Sequence, residues 1–325
     1  MFIKALVIFF ITLLFCLSGQ AGGLTAEQQA AKVKGITLYN QHKAISAVPY
    51  LEIAAKAGDR DAQYYLGEAL RFNNRYMTED AYKWYVAAAD QGDYYAMYRL
   101  SGSENDLCSI MSNCPVDTKT PGDWLLQGRG EAKSKADKGD IEAMYVLTYL
   151  TNKDEWLEKA ADAGFPQAQY DLALMYEEGR KFYFPPWDKS EKVEELLRKS
   201  AEGGFPKGMM MLFRVVYDKG NVKEAQYWAE KAAETGFVSG VLGYGMYSAH
   251  EPDLIKLPLN LVKGYGLVSL LLELDGGGAK DDAEYILPKI AAKMTPEQIE
   301  EAKAYAKEWK ATHPPLSFFP DKLGF

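Results

Sequence analysis

Six gap-free copies of one short pattern, each centred on a glycine, constrain this chain more than any other feature. The segments AAKAGDRDAQYYLGEAL, AAADQGDYYAMYRLSGS, KADKGDIEAMYVLTYL, AADAGFPQAQYDLALMYEEG, SAEGGFPKGMMMLFRVVYDKG and AAETGFVSGVLGYGMY align on Gly58, Gly92, Gly139, Gly164, Gly204 and Gly236. These glycines are 34, 47, 25, 40 and 32 residues apart, so the length variation falls between the conserved-looking cores. Self-similarity at this period marks a repeat architecture in which each unit is one supersecondary element.

Small residues stand three positions before each glycine (Ala55, Ala89, Ala136, Ala161, Ala201, Ala233) and four after it (Ala62, Ala96, Ala143, Ala168, Gly208, Gly240). Large residues stand eight before (Tyr50, Trp84, Glu131, Trp156, Leu196, Trp228) and eight after (Leu66, Leu100, Leu147, Leu172, Leu212, Tyr244), and are expected to be the core knobs. This spacing reads as a helix, a glycine able to take the left-handed C-terminal conformation, and a second helix packed tightly through its small residues. One such hairpin cannot bury both apolar faces, so neighbours must stack. The expected fold is all-α: an α/α solenoid of about six to seven hairpins whose concave face suits proteins or peptides.

Both ends of the array have their own signals. Leu38, Ile45 and Tyr50 stand at helical spacing around residues 40–43, which reads as an opening hairpin. Near the other end, MTPEQIEEAKAYAKEW places Thr295 as an N-cap, Pro296 at the first helical position and Gln298 to complete a capping box. Ile299, Ala302, Ala306 and Trp309 then form one stripe that would close the solenoid.

On these residues the chain resembles the Sel1-like repeat family, relatives of the tetratricopeptide repeats. Ala160 to Gly179 carries the likeness at nearly every defining position, and Met294 to Trp309 is similar to the capping helix of exported bacterial members. The likeness spans roughly residues 30 to 310 and places the repeat array at 22–310, with 311–325 as a C-terminal tail. It implies a binding scaffold rather than an enzyme: adaptor, regulator or inhibitor work in the bacterial envelope, several members being immunity proteins against secreted effectors.

Two segments break the register. Residues 101–127, SGSENDLCSIMSNCPVDTKTPGDWLLQ, read as an inserted loop containing Trp124 and the pair Cys108 and Cys114. Residues 180–190, RKFYFPPWDKS, crowd Phe182, Tyr183, Phe184 and Trp187 around two prolines that cannot continue a helix. These aromatics either tuck over the solenoid edge or form a hot spot for a partner; with Trp124 they are the candidate partner-binding residues. Tyr64, Tyr98, Tyr145 and Tyr170, each six positions after its glycine, either pack between repeats or offer hydroxyls to a ligand on the concave face.

At the N-terminus, Lys4 precedes an apolar run from Ala5 to Leu17 and then small residues, the pattern of a secretory signal at 1–21 with cleavage after Ala21. The run is shorter than the roughly 20 residues of a spanning helix, and Phe15 rather than a small residue precedes Cys16, against lipidation. The expected location is the periplasm or outside the cell. Loss of Cys16 leaves an even pair, and in an oxidising compartment Cys108 and Cys114 are expected to bond, with two unpaired thiols or half a metal site as the alternatives.

A formal charge of −8 with no concentration of Lys and Arg argues against nucleic-acid partners. The three histidines, His42, His250 and His313, lie far apart, and the chain has no HExxH, nucleophile elbow or phosphate loop. Neither cofactor nor metal nor catalytic residue is expected. GFVSGVLGYG lacks a preceding strand, and its glycines fit the repeat register. A protein partner is therefore the expectation, first a secreted type VI effector such as a phospholipase, alternatively an envelope sensor or assembly protein. A β-lactam-binding enzyme is the remote alternative, because related cysteine-rich proteins carry a bridge in nearly every repeat.

Overall fold

The computed structural model describes residues 23–323. The leader at 1–21 and Cys16 lie outside the described residues. Helix α1 (Ala26–Asn40) is followed by six hairpins: α2 (Ala44–Lys56) with α3 (Arg60–Asn74), and α4 (Glu79–Ala89) with α5 (Tyr94–Ser101). After a short α6 (Leu107–Ile110) come α7 (Pro121–Ala136) with α8 (Ile141–Thr151), and α9 (Asp154–Asp162) with α10 (Pro166–Glu177). The last two pairs are α11 (Lys189–Glu202) with α12 (Pro206–Asp218) and α13 (Val222–Glu234) with α14 (Val238–Ser248). Helices α15 (Leu261–Ser269), α16 (Ala279–Ala291) and α17 (Pro296–Thr312) complete the array. Consecutive helices pack on one another from α1 to α5 and from α7 to α16, as in a solenoid, with α5 meeting α7 across the short α6 and α17 returning to pack on α15.

Each repeat glycine ends the first helix of its hairpin with φ between +77° and +92°, a region where a β-carbon is strained. In five of the six hairpins the second helix then starts in one of two ways, whereas α14 begins at Phe237–Val238 with neither a side-chain cap nor a proline. Asp59, Asp93 and Asp140 cap α3, α5 and α8 through their carboxylates, satisfying an otherwise orphaned amide. In the later repeats Phe165 and Phe205 take that place, and Pro166 and Pro206 at the first helical position remove an amide that would need a cap.

The small residues flanking the glycines are all buried. At two positions after the glycine even alanine does not fit: a β-carbon on Gly208 would lie 2.4 Å from Ser200 Oγ, and one on Gly240 2.7 Å from the Ala232 carbonyl carbon. The eight-after positions are buried as expected, but the eight-before positions are not the core knobs. Tyr50 is exposed, Trp84, Glu131 and Trp156 are half-buried, and only Leu196 and Trp228 are buried. The buried position lies seven before the glycine, in Leu51, Tyr85, Ala132, Leu157, Leu197 and Ala229. Positions seven, four and three before the glycine share one helical face, and a step of one residue rotates a side chain by about 100° off it. Ile45 is likewise 79% exposed; Ala44, Ala47 and Leu51 carry the inward face of α2.

The irregular segment is shorter than the expected 101–127, because α7 resumes at Pro121 on a Thr120–Asp123 capping box. Cys108 and Cys114 are disulfide-bonded. The Thr295–Gln298 capping box forms as expected, with Ala302 and Ala306 buried beneath it.

The solenoid comes full circle. In the turn between α1 and α2, Lys43 donates to the Glu273 carbonyl and lies 3.9 Å from Asp275 Oδ2, and a β-carbon on Gly276 would stand 3.5 Å from His42 Cβ. The C-terminal tail runs inside this closed turn.

Candidate functional site

Two surfaces could engage a partner: the aromatic loop on the rim and the inner channel that the tail occupies. The aromatic loop begins where Gly179, at φ +72°, ends α10. The Lys181 amide donates to the Met175 carbonyl at 3.0 Å, and its ammonium reaches back to Glu158 at 2.8 Å and Asp154 at 3.8 Å on α9. Tyr183 is half-buried, edge-on to Tyr176 at 5.4 Å. With these anchors in place, Phe182, Phe184 and Trp187 each remain 76% exposed, the last two with ring centres 6.5 Å apart. The sequence thus places four aromatics in one loop, and the fold divides them into one anchor and three outward rings. Exposed rings in this number on a pinned loop have the composition of an interaction hot spot.

Trp124 does not belong with them. It is 1% exposed in α7, its Nε1–H donates to the Tyr82 hydroxyl at 3.3 Å, and the Lys119 ammonium covers its ring at 3.8 Å. A tryptophan on the inner face of a resumed helix is a core anchor, which corrects its assignment as a contact residue. The inserted segment instead exposes aliphatics around the disulfide: Leu107, Ile110, Met111 and Val116. The only hint in the sequence is that LCSIM is a single helical turn on which Cys108 alone faces inward.

The inner channel is built from the second helices. Of the recurring tyrosines, Tyr64 and Tyr145 are buried and Tyr98 and Tyr170 half-buried. Two of them both pack between repeats and bring a hydroxyl within reach of the tail. Tyr64 donates to the Lys322 carbonyl. The Tyr145 hydroxyl lies 2.7 Å from Asp171 and 3.4 Å from Asp321, and Gln167 Nε2 lies 3.0 Å from that hydroxyl and 2.7 Å from Asp321. A hydroxyl has one proton, and the shorter contact directs it to Asp171; Gln167 therefore carries the Asp321 carboxylate. Burial pushes the Asp171 carboxyl up to about 6, and the neighbouring Asp321 charge adds to the rise against the Tyr145 hydrogen bond.

Beside this channel Glu68 accepts from Arg99 Nε at 2.5 Å and Nη2 at 2.7 Å, from Tyr85 at 2.7 Å and from Tyr39 at 3.2 Å. Burial opposes the Glu68 charge, but the guanidinium outweighs it and holds the carboxyl below its usual range. Among the described residues no group of three or more His, Cys, Asp or Glu could hold a metal ion, and no helix is long and apolar enough to cross a membrane.

The sequence matches no protein-family model and no curated protein. Among solved structures, the chain is similar to a protective antigen of uropathogenic Escherichia coli strains displaying an SLR fold, at 19% identity and a TM-score of 0.48. That match covers 89% of this chain, which spans only 62% of the antigen's length. It is also similar to a Sel1 repeat protein from Oxalobacter formigenes, at 20% identity and a TM-score of 0.42 over 87% of this chain and 86% of the other.

Proposed function

We propose that this chain is an exported Sel1-like scaffold that binds a protein partner through Phe182, Phe184 and Trp187. The observation that supports this is the exposure of three large rings on a loop whose backbone and flanking residues are pinned. Burying one such side chain is worth about 1.5–3 kcal/mol, so a partner covering all three gains enough to offset much of the cost of association. An aromatic loop free to collapse would instead cover its own rings.

The finer reading is an immunity protein that neutralises a secreted type VI effector such as a phospholipase, in the periplasm after removal of residues 1–21. The leader pattern in the sequence and a rim loop suited to one dedicated partner support it.

The test is retention of proteins from the native envelope fraction on the mature tagged chain, wild type against the triple variant F182A/F184A/W187A. One toxin-like protein held in equal amount by wild type and lost by a variant of unchanged helicity is the expected result. Equal retention by both removes the loop from the interface. Sensor or assembly components held in its place overturn the immunity role, N-terminal sequencing that finds residue 1 intact overturns the removal of residues 1–21, and recovery of the chain only outside the envelope fraction overturns the export.

A further inference from the structure

The tail runs through the interior as an irregular segment, with Phe319 in the left-handed region at φ +46° and a turn at its end in which the Leu323 amide donates to Asp321 Oδ1 at 2.9 Å. The Ser317 amide donates to the Gly236 carbonyl at 2.9 Å and the Val238 amide to the Ser317 carbonyl at 3.0 Å, a single β-bridge. The Phe318 amide donates to the Asn40 carbonyl at 2.9 Å, and its ring stacks on His42 at 4.1 Å. Three subsites follow. Gln167 takes the Asp321 carboxylate; the Tyr95 ring, 4.9 Å from the Lys322 ammonium, and Glu142, at 3.4 Å, take the lysine; and Leu323 is buried at the end. Main-chain bonds that fix the register, followed by side-chain pockets that read the sequence, are how proteins recognise a peptide.

The fit of the tail is incomplete. Of residues 314–323 only Ser317 and Leu323 are buried. A cavity of about 90 Å³ stays open against Pro320 and Asp321, between Tyr39 and Arg99, and another of about 280 Å³ beside Lys322, between Arg60 and Lys135. Asp321 is also seated close to the Asp171 carboxylate, the two lying 3.4 Å and 2.7 Å from the same Tyr145 hydroxyl. A segment optimised only as core would not leave room on both sides and face a like charge.

We infer that the inner channel is a peptide-binding groove, that residues 317–323 occupy it as an intramolecular ligand, and that it accepts in trans a protein segment presenting a carboxylate, a lysine and an aliphatic side chain in that order, in the same turned conformation. Binding there requires the tail to leave. The groove is separate from the aromatic loop, so this inference stands or falls independently of the partner proposed for that loop.

The experiment uses the full chain with a specific protease site inserted between His313 and Pro314. After cutting and removal of the freed tail, the expected result is a folded array with the helicity of the uncut chain. This array binds a labelled Pro314–Phe325 peptide saturably and at least 100-fold more tightly than the uncut protein does. The same peptide carrying D321A or K322A binds at least ten-fold more weakly, and an unrelated peptide retaining only Asp-Lys-Leu competes where its scrambled order does not. In the intact chain the amides of Phe318 and Leu323 exchange at least ten-fold faster than those of α3 and α8. Unfolding on loss of the tail, a folded array that does not bind the peptide, equal binding of the substituted or scrambled peptides, or tail amides that exchange only with global unfolding would each overturn the inference.

Discussion

Gln167 Nε2 lies 2.7 Å from Asp321 Oδ2, across 154 positions of chain, and ties the tail to the fourth hairpin. A hydrogen bond to a charged group is worth about 1.5–3 kcal/mol. D321A leaves one of the two Gln167 N–H groups unanswered, the other still facing the Tyr145 hydroxyl, whereas D321N keeps an acceptor and removes the charge facing Asp171. Urea unfolding is expected to show D321A destabilised by about 1–2 kcal/mol and D321N close to wild type. Equal losses would mean that the carboxylate charge, rather than the acceptor, holds the tail.

Asp171 makes stability depend on pH. Its folded pKa, about 6, lies above the ordinary 3.8, so the folded chain holds this proton more tightly than the unfolded chain. The stabilisation is fully present below 3.8 and is lost as pH rises through about 6. Tyr145 and Tyr149 on α8, Lys207 on α12 and Asp321 on the tail face this group. D171N removes its share, so the difference in unfolding free energy between wild type and D171N is expected to shift by about 1.4 kcal/mol in favour of wild type from pH 7.5 to 5. A difference independent of pH would place the Asp171 proton elsewhere.

The Glu68–Arg99 pair is buried and two-pronged. Removing one member of such a pair typically costs about 3–5 kcal/mol because the other charge is stranded. E68A and R99A are therefore each expected to lower the urea midpoint steeply. The double variant E68L/R99M should cost much less than their sum, and additive losses would show that the two charges do not act as a pair.

Gly58 and Gly236 share a repeat position but differ in surroundings. A β-carbon on Gly58 meets nothing within 4 Å, whereas one on Gly236 would lie 2.6 Å from the Pro315 carbonyl oxygen. G58A should cost only the left-handed backbone penalty, about 1–2 kcal/mol. G236A should cost more and loosen the tail, seen as faster exchange of the Ser317 amide. Identical costs would indicate that the tail yields freely at this point.

Reduction of the Cys108–Cys114 bond opens a short loop, and the chain-entropy model assigns such a closure about 2 kcal/mol. Because α7 has its own capping box, the loss should stay local. Trp124 fluorescence is expected to be nearly unchanged in C108S/C114S, while proteolysis near Ile110 and Met111 rises. Loss of the whole near-ultraviolet spectrum would make the bridge a requirement of the array.

The hairpins were legible because each is a local affair: a glycine with positive φ, small residues three before and four after, and a cap or a proline within a few positions. The aromatic loop was legible for the same reason, as prolines and rings crowded between two helices. The facing of Tyr50, Ile45 and Trp124 was not, because a one-residue step turns a side chain off the buried stripe and neither composition nor approximate spacing resolves that rotation. The tail was the least legible element. LSFFPDKL has no helical or strand period, and its partners, from Asn40 through Tyr64 and Tyr145 to Gly236, are scattered over the chain. The sequence by itself determined the repeating helical hairpins, whose contacts span a few residues. Only the tertiary structure decided that the array closes on itself and what fills its centre, because the small rotation from each hairpin to the next accumulates over six repeats before its ends can meet.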